Sequence, residues 1–286
     1  MVIEPDFLSE LDRFESARKR KISSRFAGEQ ETERIGEGLT FADFRRYSPG
    51  DDTRLIDWKI FARTDELFIK QYEAERNYTV HVLLDASGSM DFGDGEAHKF
   101  EFGAKIGLGF CYLTADEHND FRFSVFTDDP DRLDAGRSNR GEVMNLVDRC
   151  NAVSLGTTSD FQQALEAYES AIQNRSLVIV VSDLLGDPDA IDAGLEALSR
   201  NELIVARVQA PGERDPPARG DTIFEDLESD ARRRTYFGGR TAQTYRERLE
   251  DHVAAVADRC EGLRARHELV HTDEDFFDAF SQVWVE

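Results

Sequence analysis

From residue 78 onward, short apolar runs alternate with stretches of helical spacing, and this alternation limits the possible folds more than any other feature. VHVLLD (80–85), FRFSVFT (121–127), SLVIVVSD (176–183) and LIVARVQ (203–209) are rich in β-branched and aromatic residues and read as strands. Helical patterns lie between them, over about 97–117, 140–150, 160–173 and 188–200. In the first, Phe100, Gly103, Ala104, Gly107, Leu108 and Cys111 share one face, whose small residues let a helix lie close to a sheet. Strands separated by helices make βαβ units, so the expectation is an α/β fold: a mostly parallel sheet with helices on both faces.

The flanks are less regular. Phe7, Leu8, Leu11, Phe14 and Ala17 predict an N-terminal helix, followed by a polar, glycine-bearing stretch to about Gly38. ELFIKQYEAE (66–75) predicts a strand close enough to NYTVHVLLD (77–85) to form a hairpin with it. Past the proline-bearing loop 211–220, DTIFEDLES and RRTYF are expected to pair, ahead of a helix over about 242–259 and a last strand, HELVHT. The expected organisation is an N-terminal extension, 1–77, of helix, loop and a strand packing on the main domain, and an α/β domain, 78–286.

Composition excludes several classes of function. The net charge of -23 comes from 58 acidic against 35 basic residues, of which six are lysine, a pattern that resembles proteins of halophiles. In molar salt the Debye length falls to roughly 3 Å and the self-repulsion of such a surface is screened. Nucleic acid is not expected as a partner, and Arg232, Arg233 and Arg234 read as a solvated edge-strand cluster. No apolar run approaches the roughly 18 residues of a membrane span, and the acidic start MVIEPDFLSELDRFESARKRK lacks the order of a secretory signal, so the expected location is cytoplasmic. Cys111, Cys150 and Cys260 match no zinc or disulfide spacing and are expected as small core residues.

Chemistry concentrates where strands end. HVLLDASGSM (81–90) passes from an apolar run to Asp85, Ser87 and Ser89, three oxygen-bearing side chains at every second position. A plain strand, turn and capped helix would also produce this stretch. Two further segments bring similar oxygens, however: SLVIVVSDLLGD ends on Ser182 and Asp183, and LGTTSDFQQAL offers Thr157, Thr158, Ser159 and Asp160 before a helix. Carboxylates and hydroxyls without His or Cys suit a hard cation, magnesium above zinc or copper. In open parallel sheets, ligands gather beyond the carboxyl ends of the strands.

D-x-S-x-S after a strand, a hydroxyl before an Ala-Leu helix and an aspartate ending a later apolar strand together resemble the metal-ion-dependent adhesion site of von Willebrand factor A domains. GEGLTFADFRRYSPGDDTRLIDWKIFARTDELFIKQYEAE (36–75) resembles the signature of the prokaryotic domain-of-unknown-function family fifty-eight, carried just ahead of a von Willebrand A-like domain. Arg46, Tyr47, Pro49, Gly50, Asp51, Asp52, Arg54, Asp57, Trp58, Ala62 and Arg63 stand where that signature expects them. The resemblance implies Mg2+ or Mn2+ held by Asp85, Ser87, Ser89, Asp183 and a hydroxyl from Thr158 or Ser159. It implies adhesion rather than turnover, with an underneutralised cation completed by a partner's carboxylate, and a MoxR-type AAA ATPase as the partner.

Two other readings compete. A magnesium-dependent phosphohydrolase could use Asp85 as nucleophile, but Ser87 stands where its second carboxylate belongs. A serine hydrolase would need G-x-S-x-G and a histidine, and ASGSM fails that pattern. A structural domain with an empty metal site is the third possibility. Upstream, SPGDD reads as a turn, Trp58 is expected to pack in the core against the strand of 66–75, and Arg54, Asp57 and Arg63 are candidates for a partner surface.

Overall fold

The computed structural model describes residues 3–4, 6–25, 39–48, 56–64, 66–74, 79–156, 159–216, 219–225, 227 and 231–284. The chain divides into two units, one of Met1–Ala17 with Tyr78–Glu286 and one of Arg18–Asn77. Helix α1 (Asp6–Arg25) begins in the first and ends in the second.

The smaller unit holds β1 (Leu39–Arg46), α2 (Trp58–Thr64) and β2 (Phe68–Ala74), with β1 and β2 paired antiparallel. The hairpin expected between 66–75 and the strand after it does not form. β2, with Lys70, Gln71 and Glu73, suits a small two-stranded ribbon, whereas the next strand is apolar through its middle and takes the centre of another sheet. Trp58 is 62% exposed rather than in the core, with Phe61 edge-on at 6.0 Å. It opens α2, where the Asp57 carboxylate accepts from the Lys59 and Ile60 amides at 2.8 and 3.1 Å. Ile56 and Ile69, bridged to each other, are buried in its place. Residues 49–52 of the SPGDD turn and Arg54 lie outside the described residues.

The larger unit runs β3 (Thr79–Asp85), α3 (Lys99–Asp116), β4 (Asp120–Phe126), β5 (Pro130–Arg132), α4 (Arg140–Asn151), α5 (Phe161–Glu169), β6 (Leu177–Ser182), α6 (Pro188–Leu198) and β7 (Glu202–Gln209). There follow the short α7 (Pro211–Arg214), the hairpin β8 (Gly220–Glu225) and β9 (Arg232–Phe237), α8 (Gly239–Gly262), β10 (Arg266–His271) and α9 (Phe276–Trp284). Six strands form one sheet in the order β10-β7-β6-β3-β4-β5, parallel except for β5 at one edge. This is the mostly parallel α/β architecture that the alternation predicts. One apolar layer joins the sheet to α3, α4, α9 and the start of α1; the other joins it to α5, α6 and α8. Val82, Leu83 and Leu84 of β3 feed both layers and are fully buried.

Among the described residues, no helix is long and apolar enough to cross a membrane. All three cysteines are buried and free, and burial pushes the Cys150 and Cys260 thiols up to about 12 and 11, which leaves them inert.

The small face of α3 does what its spacing predicts. A Cβ at Gly107 would stand 2.7 Å from both Phe123 Cε2 and Val82 Cγ1, and one at Gly103 3.0 Å from Val181 Cγ1. Helix and sheet therefore touch backbone to side chain. Gly107→Ala should cost about 1–3 kcal/mol, because overpacking outweighs the gain in helix propensity. Urea unfolding measures this, and unchanged stability would mean that α3 is not seated so closely.

Candidate metal centre

The chain leaves β3 for β4 on one side and later returns to β6 on the other, so β3 lies at the reversal of strand order. In such sheets the crevice beyond the carboxyl ends at this point is the ligand position. Asp85 ends β3 and Ser182 ends β6, and because the strands are paired in parallel these ends are neighbours.

The Asp85 carboxylate is held by two donors. Oδ1 accepts the Ser87 amide at 2.9 Å and Oδ2 accepts the Ser182 hydroxyl at 2.6 Å. The hydroxyls of Ser87 and Ser89 lie 3.0 Å apart. Asp183 Oδ1 accepts the Leu185 amide at 3.2 Å, and Lys99 Nζ donates to Oδ2 at 2.6 Å. Asp85, Ser87, Ser89, Ser159 and Asp183 line one cleft of about 270 Å³, walled on its apolar side by Phe161, Leu185 and Ile191. The Ser159 hydroxyl donates to the Thr127 carbonyl at 3.2 Å, which leaves its lone pairs open, while Thr158 lies outside the described residues. Asp160 caps α5, accepting the Gln163 amide at 2.9 Å.

Backbone features shape the loops. A Cβ at Gly88 would stand 2.5 Å from the Leu227 carbonyl oxygen and 2.8 Å from that of Gly156, so only glycine fits between Ser87 and Ser89. The Gly156 amide in turn bonds the Ala86 carbonyl at 2.7 Å, tying the segment before α5 to the β3 loop. Leu184, buried beside Asp183, has φ 51, a left-handed conformation unusual for a residue with a side chain. Its amide bonds the Ser182 hydroxyl at 3.0 Å.

Burial first, and then the nearby Asp183 charge, push the Asp85 carboxyl up to about 6. Two neighbouring buried carboxylates, ringed by hydroxyls, fit a hard divalent cation. Among the described residues no group of three or more His, Cys, Asp or Glu is placed to hold a metal, so an ion here would need hydroxyl oxygens among its ligands. The described residues of the cleft that could offer oxygens to Mg2+ or Mn2+ are Asp85, Ser87, Ser89, Ser159 and Asp183.

Sequence reasoning missed the cations behind this site. Lys99, 1% exposed, opens α3 and pairs with both Asp183 and Glu213. Burial alone would lower its pKa, but the two carboxylates more than offset that and hold it above the ordinary lysine value. Arg207, also fully buried, donates from Nε to the Asp183 carbonyl at 2.8 Å. One signal for Lys99 was present: it precedes Gly103 by four residues and so lies on the buried face of α3. Nothing in the sequence marks Glu213.

Several known proteins are similar to this chain. An uncharacterized protein of Mycobacterium tuberculosis (strain ATCC 25618 / H37Rv), Rv1480, is 24% identical over 278 residues, covering 96% of this chain and 87% of its own. Among solved structures, an aerotolerance-related membrane protein of Bacteroides fragilis NCTC 9343 aligns with a TM-score of 0.47 and 13% identity over 72% of this chain and 96% of that one. The VWA domain of SpRpn10 aligns with a TM-score of 0.43 and 12% identity over 72% and 94% of the two chains. Residues 43–258 match the family described as protein of unknown function DUF58, and the chain belongs to that family.

Proposed function

We propose that the protein is a non-enzymatic interaction module that holds Mg2+ or Mn2+ through Asp85, Ser87, Ser89, Asp183 and a hydroxyl of Thr158 or Ser159, and presents the ion to a carboxylate of a protein partner. The observation that carries this reading is the meeting of Asp85, Ser87, Ser89, Ser159 and Asp183 in one cleft beyond β3 and β6. Neutral hydroxyls supply much of that donor set, so a divalent ion there keeps charge to offer, and magnesium's octahedral demand makes the contact directional. The partner implied by the family resemblance is a MoxR-type AAA ATPase.

The phosphohydrolase reading is weaker on chemical grounds. A lysine does lie buried behind the cleft, but Asp183 and Glu213 hold the Lys99 ammonium, so it cannot act as a base. Ser87 bonds through its amide to Asp85 and brings no carboxylate. The test is capture of the organism's MoxR-type ATPase in molar KCl. Capture should occur with Mg2+, fail with EDTA, and fall to background for Ser87→Ala with Ser89→Ala while circular dichroism is unchanged. Magnesium-dependent hydrolysis of p-nitrophenyl phosphate that Asp85→Asn abolishes would establish the phosphohydrolase instead.

A further inference from the structure

The geometry points to Lys99 as the residue that sets the site's selectivity: its ammonium competes with the divalent ion for the Asp183 carboxylate and makes tight metal binding depend on an external carboxylate. This rests on the metal reading above. Lys99 Nζ lies 2.6 Å from Asp183 Oδ2, donates also to Glu213, and has the Phe92 ring at 5.6 Å, so its ammonium is fixed by contacts on several sides. The Glu213 carboxylate is itself anchored, accepting the Ala210 amide at 2.9 Å through Oε2.

The charge count gives the consequence. Among the buried groups, leaving aside the solvent-exposed Asp160 and Asp187 that also line the cleft, and with Asp85 ionised, Asp85, Asp183 and Glu213 carry three negative charges and Lys99 and Arg207 two positive, a net of one negative. A divalent ion in the cleft turns that into one positive, uncompensated in a buried setting where charge is costly. The excess is sharpened by Arg207, whose Nη1 has no hydrogen-bond partner among the described residues. One incoming carboxylate brings the cluster to neutrality. Without Lys99 the loaded cluster would already be neutral, and the site would close on its ion with no need of a partner.

The probe is Mn2+ alone, titrated into the full chain in molar KCl free of carboxylate buffers and followed by the electron paramagnetic resonance of free Mn2+. Lys99→Met should tighten Mn2+ binding at least about tenfold, because a like charge next to the ion is removed. Glu213→Gln should weaken it by about as much, since Lys99 then bears on Asp183 alone. Glutamine can still accept the Ala210 amide and leaves Lys99 paired, so this variant tests the idea even if Lys99→Met does not fold. Opposite shifts in the two variants, or weakening in Glu213→Gln alone when the other is unfolded, support the inference. If wild type binds Mn2+ and folded Lys99→Met binds it no more tightly, or Glu213→Gln leaves binding unchanged, Lys99 is a structural ion-pair member only. If wild type and both variants take up no Mn2+ at millimolar concentration, the metal reading itself is overturned.

Discussion

Asp85→Asn is expected to abolish divalent-cation binding and, in the same protein freed of metal, to raise stability at pH 8. Both effects come from one cause. The Asp85 carboxyl in the fold titrates at about 6 against an ordinary 3.8, chiefly through burial and then through Asp183. A carboxyl whose folded pKa is raised contributes its full share of stability below the unfolded value and loses it as pH rises through the folded one. The cost of keeping Asp85 ionised therefore grows from about pH 4 and is complete above about pH 6, reaching roughly 3 kcal/mol. Asparagine is nearly isosteric, and its oxygen and amide can still engage the Ser87 amide and the Ser182 hydroxyl, so the fold keeps its contacts while the charge is gone. Denaturant unfolding in EDTA should show the variant more stable at pH 8, with the gap closing by pH 4. Mn2+ should stabilise the wild type at pH 8 and leave the variant unmoved. Equal stability at pH 8, or Mn2+ binding by Asp85→Asn, would remove the electrostatic account of the site.

What the sequence discloses about this molecule follows the range of its interactions. The sheet is legible because burial writes a local pattern: Val82, Leu83 and Leu84, or Val178 to Val181, are continuous apolar runs of strand length, and the helical patterns between them force parallel connections. The oxygens of the site are legible for a similar reason, since Asp85, Ser87 and Ser89 stand together at the end of one such run. The cations are not. Lys99 meets Asp183 across 84 residues and Glu213 across 114, and no spacing rule connects them. Arg207 is harder still, because a single arginine in LIVARVQ reads as the solvent-facing member of a strand, yet it is fully buried behind the Asp183 carbonyl. Proximity misleads in the smaller unit, where 66–75 reads as the partner of the following strand and instead pairs with β1. Trp58 illustrates a bias of composition: a large aromatic is assigned to the core by habit, while at the start of a capped helix it faces out.

Thermal stability is expected to rise steeply with salt, by on the order of 10 °C between 0.1 and 2 M KCl for a chain of this size. Two electrostatic effects oppose each other here. Salt weakens attractive surface pairs such as Arg214 with Asp273 and Arg246 with Asp215, whose side chains are about half exposed. Each such pair contributes only about 0–1 kcal/mol, so little is lost by screening them. Against this stands a net charge of -23, which every acidic group on the surface feels and which pairing with 35 basic residues cannot remove. The buried contacts of Lys99 with Asp183 and Glu213 are shielded from solvent ions and should respond to neither. Relief of the general repulsion therefore outweighs the loss of individual pairs. Melting curves across the KCl series measure the balance, and a midpoint that stays flat or falls would show that the acid-rich surface is no adaptation to salt. The same screening bears on partner capture. A strongly anionic protein repels an acidic segment at long range, so the carboxylate proposed to complete the metal site can approach freely only once the Debye length has shrunk to a few ångströms, while the contact itself, made inside the cleft, is screened far less.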